Sequence, residues 1–379
     1  MTEKLYYKDA YIKDFRADVL SVTKVENGFD TVLDKTAFFP EEGGQSSDTG
    51  KIGDATVSYV YESDGVVHHI TDIDLPIGSY DCSIDFDARF EKMQCHTAEH
   101  VLCGIIHRLY GLDNVGFHLG EDEVTFDVNG VLDRPQLDMI EELANNAVFS
   151  NLPIETIFPT SEELSNIEYR AKLNITEGVR IVKIGDVDSC ACCAPHVAKT
   201  GEIGLIKILD FMKHRGGTRI WIVAGKRALY DYRARYDNIK RISAMLCAPQ
   251  LETADTLDAY MKDSESAKLS LKATRLKIAE LEAEKVDATE GNSVFVLPDF
   301  TIPELIAFSN IANTKISGIT VVLSGSDFDY KYVISSTYID LRQMSKDINT
   351  ALSGRGGGRP EMIQGSFNTS LDKIKEYFK

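Results

Sequence analysis

The sequence holds no run of about 18 consecutive apolar residues, so it offers no segment suited to cross a bilayer as a helix. It also lacks an export signal: MTEKLYYKDAYIKDF carries acids where a signal peptide needs a basic flank and then an apolar core, and a cytoplasmic location is the expectation. Positive charge is scarce. The formal net charge is -18, which argues against a partner as acidic as nucleic acid unless Lys and Arg gather locally. Any RNA-binding function therefore requires a basic patch on an otherwise acidic protein. Cysteine is sparse and unevenly placed: of seven, Cys190, Cys192 and Cys193 crowd into one short stretch. That spacing excludes a disulfide framework and favours metal ligation.

The chain has 379 residues, which predicts two or three domains. Residues 1–90 alternate apolar and polar side chains in short runs (TVLDKTAFF, TVSYVY, GVVHHI) between Gly, Asp and Asn turns, as in a small β-barrel. Over 90–110 the period changes: Met93, Val101, Leu102, Ile105, Ile106 and Leu109 recur at helical spacing. Strands and helices then alternate to residue 225, an α+β layer built round that helix. Residues 226–286 are charged, leucine-bearing and nearly glycine-free; Pro249 would cost about 3 kcal/mol inside a helix, so a helical hairpin arm is expected. Residues 287–379 alternate again (SVFVLP, GITVVLSG, YKYVISS) and read as an α/β domain. The expected fold class is thus α+β: barrel, α+β module, arm and C-terminal α/β domain.

His96 and His100 lie four apart on the expected helix, which places both imidazoles on one face about 5 to 6 Å apart. Downstream, SCACCAPHV supplies Cys192 and His196, also four apart. A thiolate with three imidazoles suits Zn2+. Cys193, three before His196, is an alternative thiol, as is Cys190. HTAEH also matches the H-x-x-E-H pattern of inverted zinc peptidases, with Glu99 as general base; that chemistry needs a carboxylate as third ligand.

Together these motifs resemble the long form of the freestanding alanyl-tRNA editing proteins, relatives of the editing and C-terminal domains of alanyl-tRNA synthetase. The resemblance spans nearly the whole chain. TVLDKTAFFPEEGGQSSDTGKI resembles the family's barrel motif, HTAEH its first zinc pair, and CCAPHVAKTGEIGLIKI the stretch bearing its second; SGRGGGRPEMIQG is similar to the synthetase C-terminal domain. Where the synthetase version reads Cys-Gly-Gly-Thr-His, Cys193, Ala194 and Pro195 fill the middle here.

The resemblance implies a Zn2+-dependent deacylase acting in trans on misacylated tRNA(Ala). It implies metal ligands His96, His100, Cys192 and His196, with Thr36 and Gln45 in the amino-acid pocket. A threonine hydroxyl there would pair with a serine side chain and be left unpaired opposite alanine, so serine is the expected substrate and glycine the second. No ATP-phosphate loop is present, so the chain is expected to deacylate rather than charge. For the tRNA backbone two groups qualify: Arg355 and Arg359, flanking a glycine run that could cradle phosphate as a nest, and Lys213, Arg215 and Arg219, with Lys226 and Arg227 beside them. A solvated face is the other reading of the second group. The arm serves either as a spacer or, with the C-terminal domain, as a homodimer contact; its leucines keep no strict heptad. The remaining rivals are the peptidase built on His96, Glu99 and His100, and a non-catalytic tRNA-binding adaptor with structural zinc.

Overall fold

Period-two burial organises the first strands: Val66–Thr71 alternates half-buried and buried side chains along its length. A computed structural model describes residues 1–121, 123–171 and 178–379. In it β1 (Asp14–Val25), β2 (Gly28–Leu33), β3 (Gly50–Ile52), β4 (Ala55–Ser63), β5 (Val66–Thr71) and β6 (Gly78–Ile84) pair antiparallel in the order β1-β2-β5-β4-β3-β6 and close into a barrel. Closure leaves no free edge, and Val19, Leu33, Phe38, Ile52, Val57 and Val67 fill the interior.

A buried histidine interrupts that apolar interior. His69 is fully buried; its Nδ1–H donates to Thr31 O at 3.0 Å, and Nε2 lies 2.9 Å from Thr36 Oγ1. Phe38 N donates to the same Oγ1, leaving the hydroxyl hydrogen for Nε2. The neutral ring is therefore satisfied and a second proton has no acceptor, so burial pulls the His69 pKa down to about 4. The unfolded chain binds a proton near 6.5 and the folded barrel does not, so stability is full above pH 6.5 and falls as pH drops toward 4. The expected loss is roughly 3 kcal/mol at a conversion of about 1.4 kcal/mol per pKa step. Urea midpoints at pH 7 and 4.5 should differ accordingly in the wild type, and the difference should shrink in His69→Asn; equal slopes in the two proteins would refute the assignment.

The central helix α1 (Phe86–Tyr110) is capped by the Asp85 side chain on Ala88 N and stopped by Gly111 in the left-handed region. It is buried on nearly all sides from Lys92 to Ile106 rather than along one stripe. Met93, Val101, Leu102, Ile105 and Ile106 form one core with Phe126, Ile220 and Ile222. The last three belong to an antiparallel sheet of order β12-β13-β8-β7, built from β7 (Asn114–Leu119), β8 (Val124–Val128), β12 (Ile206–His214) and β13 (Gly217–Ala224). The intervening chain adds α2 (Arg134–Phe149), started by an Asp133/Gln136 capping box, and a small sheet of β9 (Ile154–Ile157), β10 (Ile181–Ile184) and β11 (Asp188–Ala191). The mixed α+β architecture expected from the sequence is present.

The chain divides into two units, Met1–Ile239 and Lys240–Lys379, with the boundary inside helix α3 (Gly225–Leu246). Pro249 sits in the break before α4 (Thr253–Glu284). In the second unit, Ala279 and Ala283 near the end of α4 pack on Leu305 and Phe308 of α5 (Ile302–Ala312), while Leu257, Tyr260, Leu269 and Leu271 are exposed. The sheet there has the order β14-β15-β16-β18-β17, from β14 (Ser293–Val296), β15 (Thr320–Ser326), β16 (Asp329–Ser335), β17 (Gly354–Arg359) and β18 (Met362–Phe367). Helices α6 (Leu341–Ala351) and α7 (Leu371–Tyr377) complete the unit. Only β14 and β15 are parallel, so the expected α/β domain is a mostly antiparallel α+β one.

The glycine run corrects a second expectation. It is not a nest: residues 354–359 form β17, paired residue for residue with β18, and none of these glycines has a left-handed φ. Glycine is required here by close approach, since a Cβ on Gly356 would lie 2.3 Å from Gln364 O and from the Tyr332 hydroxyl. Among the described residues no helix is long and apolar enough to cross a membrane.

Candidate metal centre

Helix α1 carries the site along one face. Arg89, fully buried, holds Asp48 through Nε at 3.0 and 2.9 Å and Ala37 O through Nη2 at 2.6 Å; Lys92 reaches Ser47 O at 2.6 Å. These contacts fix the barrel segment that follows the Gly43–Gly44 turn. Gly44 is left-handed, and a Cβ there would strike Phe117 O at 2.3 Å. One to three turns further along α1 come His96 and His100, their ring centroids 5.4 Å apart. The loop after β11 brings His196 within 4.9 and 4.6 Å of those rings. Cys192 Sγ lies 3.6 Å from His96 Nε2 and 3.3 Å from His196 Nε2.

The donor set tests itself against zinc. Zn–N and Zn–S bonds of about 2.05 and 2.3 Å at tetrahedral angles put N and S about 3.6 Å apart, near the separations found. All four candidate ligand atoms lie within 4.8 Å of one another. Each histidine is also turned the right way. His96 Nδ1–H donates to Gln45 Oε1 at 2.8 Å and His100 Nδ1–H to Asp188 Oδ2 at 3.1 Å. Thr97 spends its hydroxyl hydrogen on Met93 O, so its oxygen, 3.0 Å from His196 Nδ1, accepts from that ring. Three Nε2 lone pairs are left facing Cys192. Burial alone would raise the Cys192 thiol, but positive charge at His96 and His196 outweighs it and holds the thiol well below its ordinary value; a metal ion bound by the three Nε2 atoms would supply that charge in their place. These residues fit a zinc ion.

Among the three clustered thiols, geometry selects Cys192. Cys193 falls outside the group of ligand atoms, and burial pushes its thiol up, while Cys190 groups with His100 and Asp188. Gln45 is fully buried and bonded to His96, so it orients a ligand; Thr36 is fully buried against His69. Neither lines the adjoining cavity of about 460 Å³, whose walls include His96, Glu99, His100, Arg170, Arg180 and Cys192. The peptidase reading lacks its carboxylate ligand: the group that holds both His96 and His100 is completed by Cys192 and His196, and Asp188 stands behind His100 on its Nδ1 side, held by Arg170 at 2.8 and 2.9 Å.

Sequence reasoning placed Asp48 in the barrel motif without its partner, and missed Asp188, Thr97 and Arg89, whose partners are distant along the chain. Removing the carboxylate behind His100 should weaken metal retention. Asp188→Asn is expected to lower zinc affinity by about 10- to 100-fold, read by chelator competition; unchanged affinity would make Asp188 merely a partner for Arg170.

The basic groups are less uniform than the sequence suggested. Arg219 is bidentate to Asp127 at 2.7 and 2.8 Å, Lys226 pairs with Asp87 and Arg227 with Glu91, while Lys213 and Arg215 are exposed at the β12–β13 hairpin. In the second unit Arg355 and Arg359 are exposed, and Arg355 joins Arg342 and Lys346 round a cavity of about 490 Å³ with no carboxylate in its lining.

Residues 179–242, which include Cys192 and His196, match the family model described as the threonyl and alanyl tRNA synthetase second additional domain. The alanyl-tRNA editing protein AlaX-L of Pyrococcus horikoshii is 28% identical, with all of both chains covered. This chain is AlaX-like from end to end. The alanine–tRNA ligase of Halorubrum lacusprofundi is 30% identical over 96% of the AlaX-like chain, which spans 42% of that ligase's length. Among solved structures, the C-Ala domain of Aquifex aeolicus alanyl-tRNA synthetase matches 24% of the chain and 84% of its own length, at 21% identity and a TM-score of 0.20.

Proposed function

We propose that this chain is a zinc-dependent deacylase that hydrolyses misacylated tRNA(Ala) in trans, with seryl-tRNA(Ala) the preferred substrate and glycyl-tRNA(Ala) the second. The observation that carries the reading is the centre of His96, His100, Cys192 and His196, each histidine oriented from behind, opening on a cavity of about 460 Å³. Support also comes from the Pyrococcus horikoshii relative, an alanyl-tRNA editing protein matched over its full length.

Bound zinc would supply a positive charge beside the ester, and a Lewis acid on taking a fifth ligand. The chain's own residues do the rest. His96, His100, Cys192 and His196 would occupy four coordination positions, so substrate contacts must come from the cavity walls. Glu99 stands there with Oε2 3.9 Å from His100 Nε2, its other oxygen held by Asn114 and Cys103, placed to accept a proton from water or to meet the substrate's ammonium group. Residues 1–90 and 91–225 would form the editing module, 226–286 the arm, and 287–379 the tRNA-binding part through Arg355 and Arg359. Lys213 and Arg215 would add a contact near the module, and Arg219 would hold the hairpin that carries them.

Zinc-loaded protein should release serine from seryl-tRNA(Ala) at least about 100-fold faster than alanine from alanyl-tRNA(Ala), with the serine hydroxyl bonded by a polar group of the cavity wall, since His69 and Phe38 N already engage the Thr36 hydroxyl. No serine release by zinc-loaded protein would sink the reading and favour a tRNA-binding adaptor.

A further inference from the structure

Two arginines line the cavity beside the metal centre, and they are not equivalent. Arg170 is neutralised: Nε and Nη2 bond the two oxygens of Asp188. Arg180 is only 8% exposed, and among the described residues none of its hydrogen bonds reaches a carboxylate. Its Nη1 donates to Cys192 O at 2.7 Å and Ala194 O at 2.9 Å, which ties down the ligand loop. The opposite edge is nearly idle. Nη2 reaches Thr156 Oγ1 only at 3.4 Å, and among the described residues Nε is buried without a partner. The guanidinium lies 5.5 Å from the centre of the Tyr7 ring, another wall of the cavity. The anion beside it is the Cys192 thiolate, whose charge a bound metal would take up, and an unbonded buried N–H adds to the cost of burying the cation.

Holding the Cys192 loop needs only Nη1, and a neutral donor would serve. The charge and the unused Nε–Nη2 edge call for something else. Two parallel N–H groups in that fork match two oxygens of a phosphate. An aminoacyl ester on a terminal ribose has such a group on the same sugar, at the 5′ position, within reach of a pocket beside the centre. The cavity is sized for one small ligand.

We propose that Arg180 is the binding residue for the 5′-phosphate of the substrate's terminal nucleotide, with the Nε–Nη2 edge donating to two phosphate oxygens while Nη1 keeps the Cys192 loop in place. This rests on the deacylase reading. No bond forms or breaks; the role is to seat the ester at the centre.

The test uses full-length, zinc-loaded protein and two ligands that resist hydrolysis: 3′-(L-seryl)amino-3′-deoxyadenosine with and without a 5′-phosphate, titrated by calorimetry. The wild type should bind the phosphorylated form about tenfold tighter or more. Arg180→Gln should erase that ratio, and Arg180→Lys should keep part of it, with zinc content measured in each. If Arg180→Gln fails to hold zinc, the lysine variant carries the comparison. Equal wild-type affinity for the two ligands overturns the proposal, as does a ratio that survives in Arg180→Gln. Binding of neither ligand to the wild type would instead overturn the deacylase reading.

Discussion

Cys192→Ala protein purified from zinc-supplemented culture is expected to retain less than about a tenth of an equivalent of zinc and to release serine on the order of 1000-fold more slowly than wild type. Cys192 is the anionic member of a set whose other three donors are imidazoles, and it stands 3.3 and 3.6 Å from two of them. Its loss removes the charge that partly offsets a divalent ion and leaves a gap facing the cavity. Cys193→Ala is the internal control. That thiol lies outside the group of ligand atoms, so zinc content should not change. Elemental analysis with a labelled-serine assay reads both variants. Retention of zinc by Cys192→Ala together with loss by Cys193→Ala would reverse the ligand assignment.

The second large effect lies behind the site. Arg89→Ala should destabilise the first unit by about 3 to 5 kcal/mol, the usual result of leaving one member of a buried ion pair alone. Arg89 and Asp48 are both almost fully buried, and Arg89 also satisfies Ala37 O and Ala10 O. Replacing both partners, Arg89→Met with Asp48→Leu, should recover much of the denaturation midpoint but not the zinc affinity. Asp48 also accepts from Phe39 N and so fixes the segment that delivers Gln45 to His96. A single Arg89→Ala variant as stable as wild type would show that the pair is dispensable.

These two experiments probe parts of the site that the sequence revealed unequally. The histidine pair was legible because an interval of four on a helix sets two side chains on one face whatever surrounds them. Cys192 and His196 were legible only as a cluster, because which of three nearby thiols turns inward depends on the exit of the chain from β11. Gln45 was legible as a site residue through resemblance, but its contact with His96 was not, since the two lie 51 positions apart. Asp188 carried no local signal, because its worth comes from His100 88 positions away and from Arg170. The secondary structure misread most plainly was β17, where glycine composition suggested a loop and cross-strand pairing with β18 overrode it.

That strand is also where the sheet of the second unit ends. An edge strand exposes unpaired backbone groups that can template pairing with another chain. Four glycines give β17 little side-chain surface for a stacked copy to grip, and Arg355 and Arg359 would set like charges against each other in an antiparallel edge-to-edge dimer centred on Gly357. The composition that resembles a phosphate loop thus also guards the open side of the sheet against fibril growth, a hazard that the closed barrel at the other end of the chain avoids by having no edge.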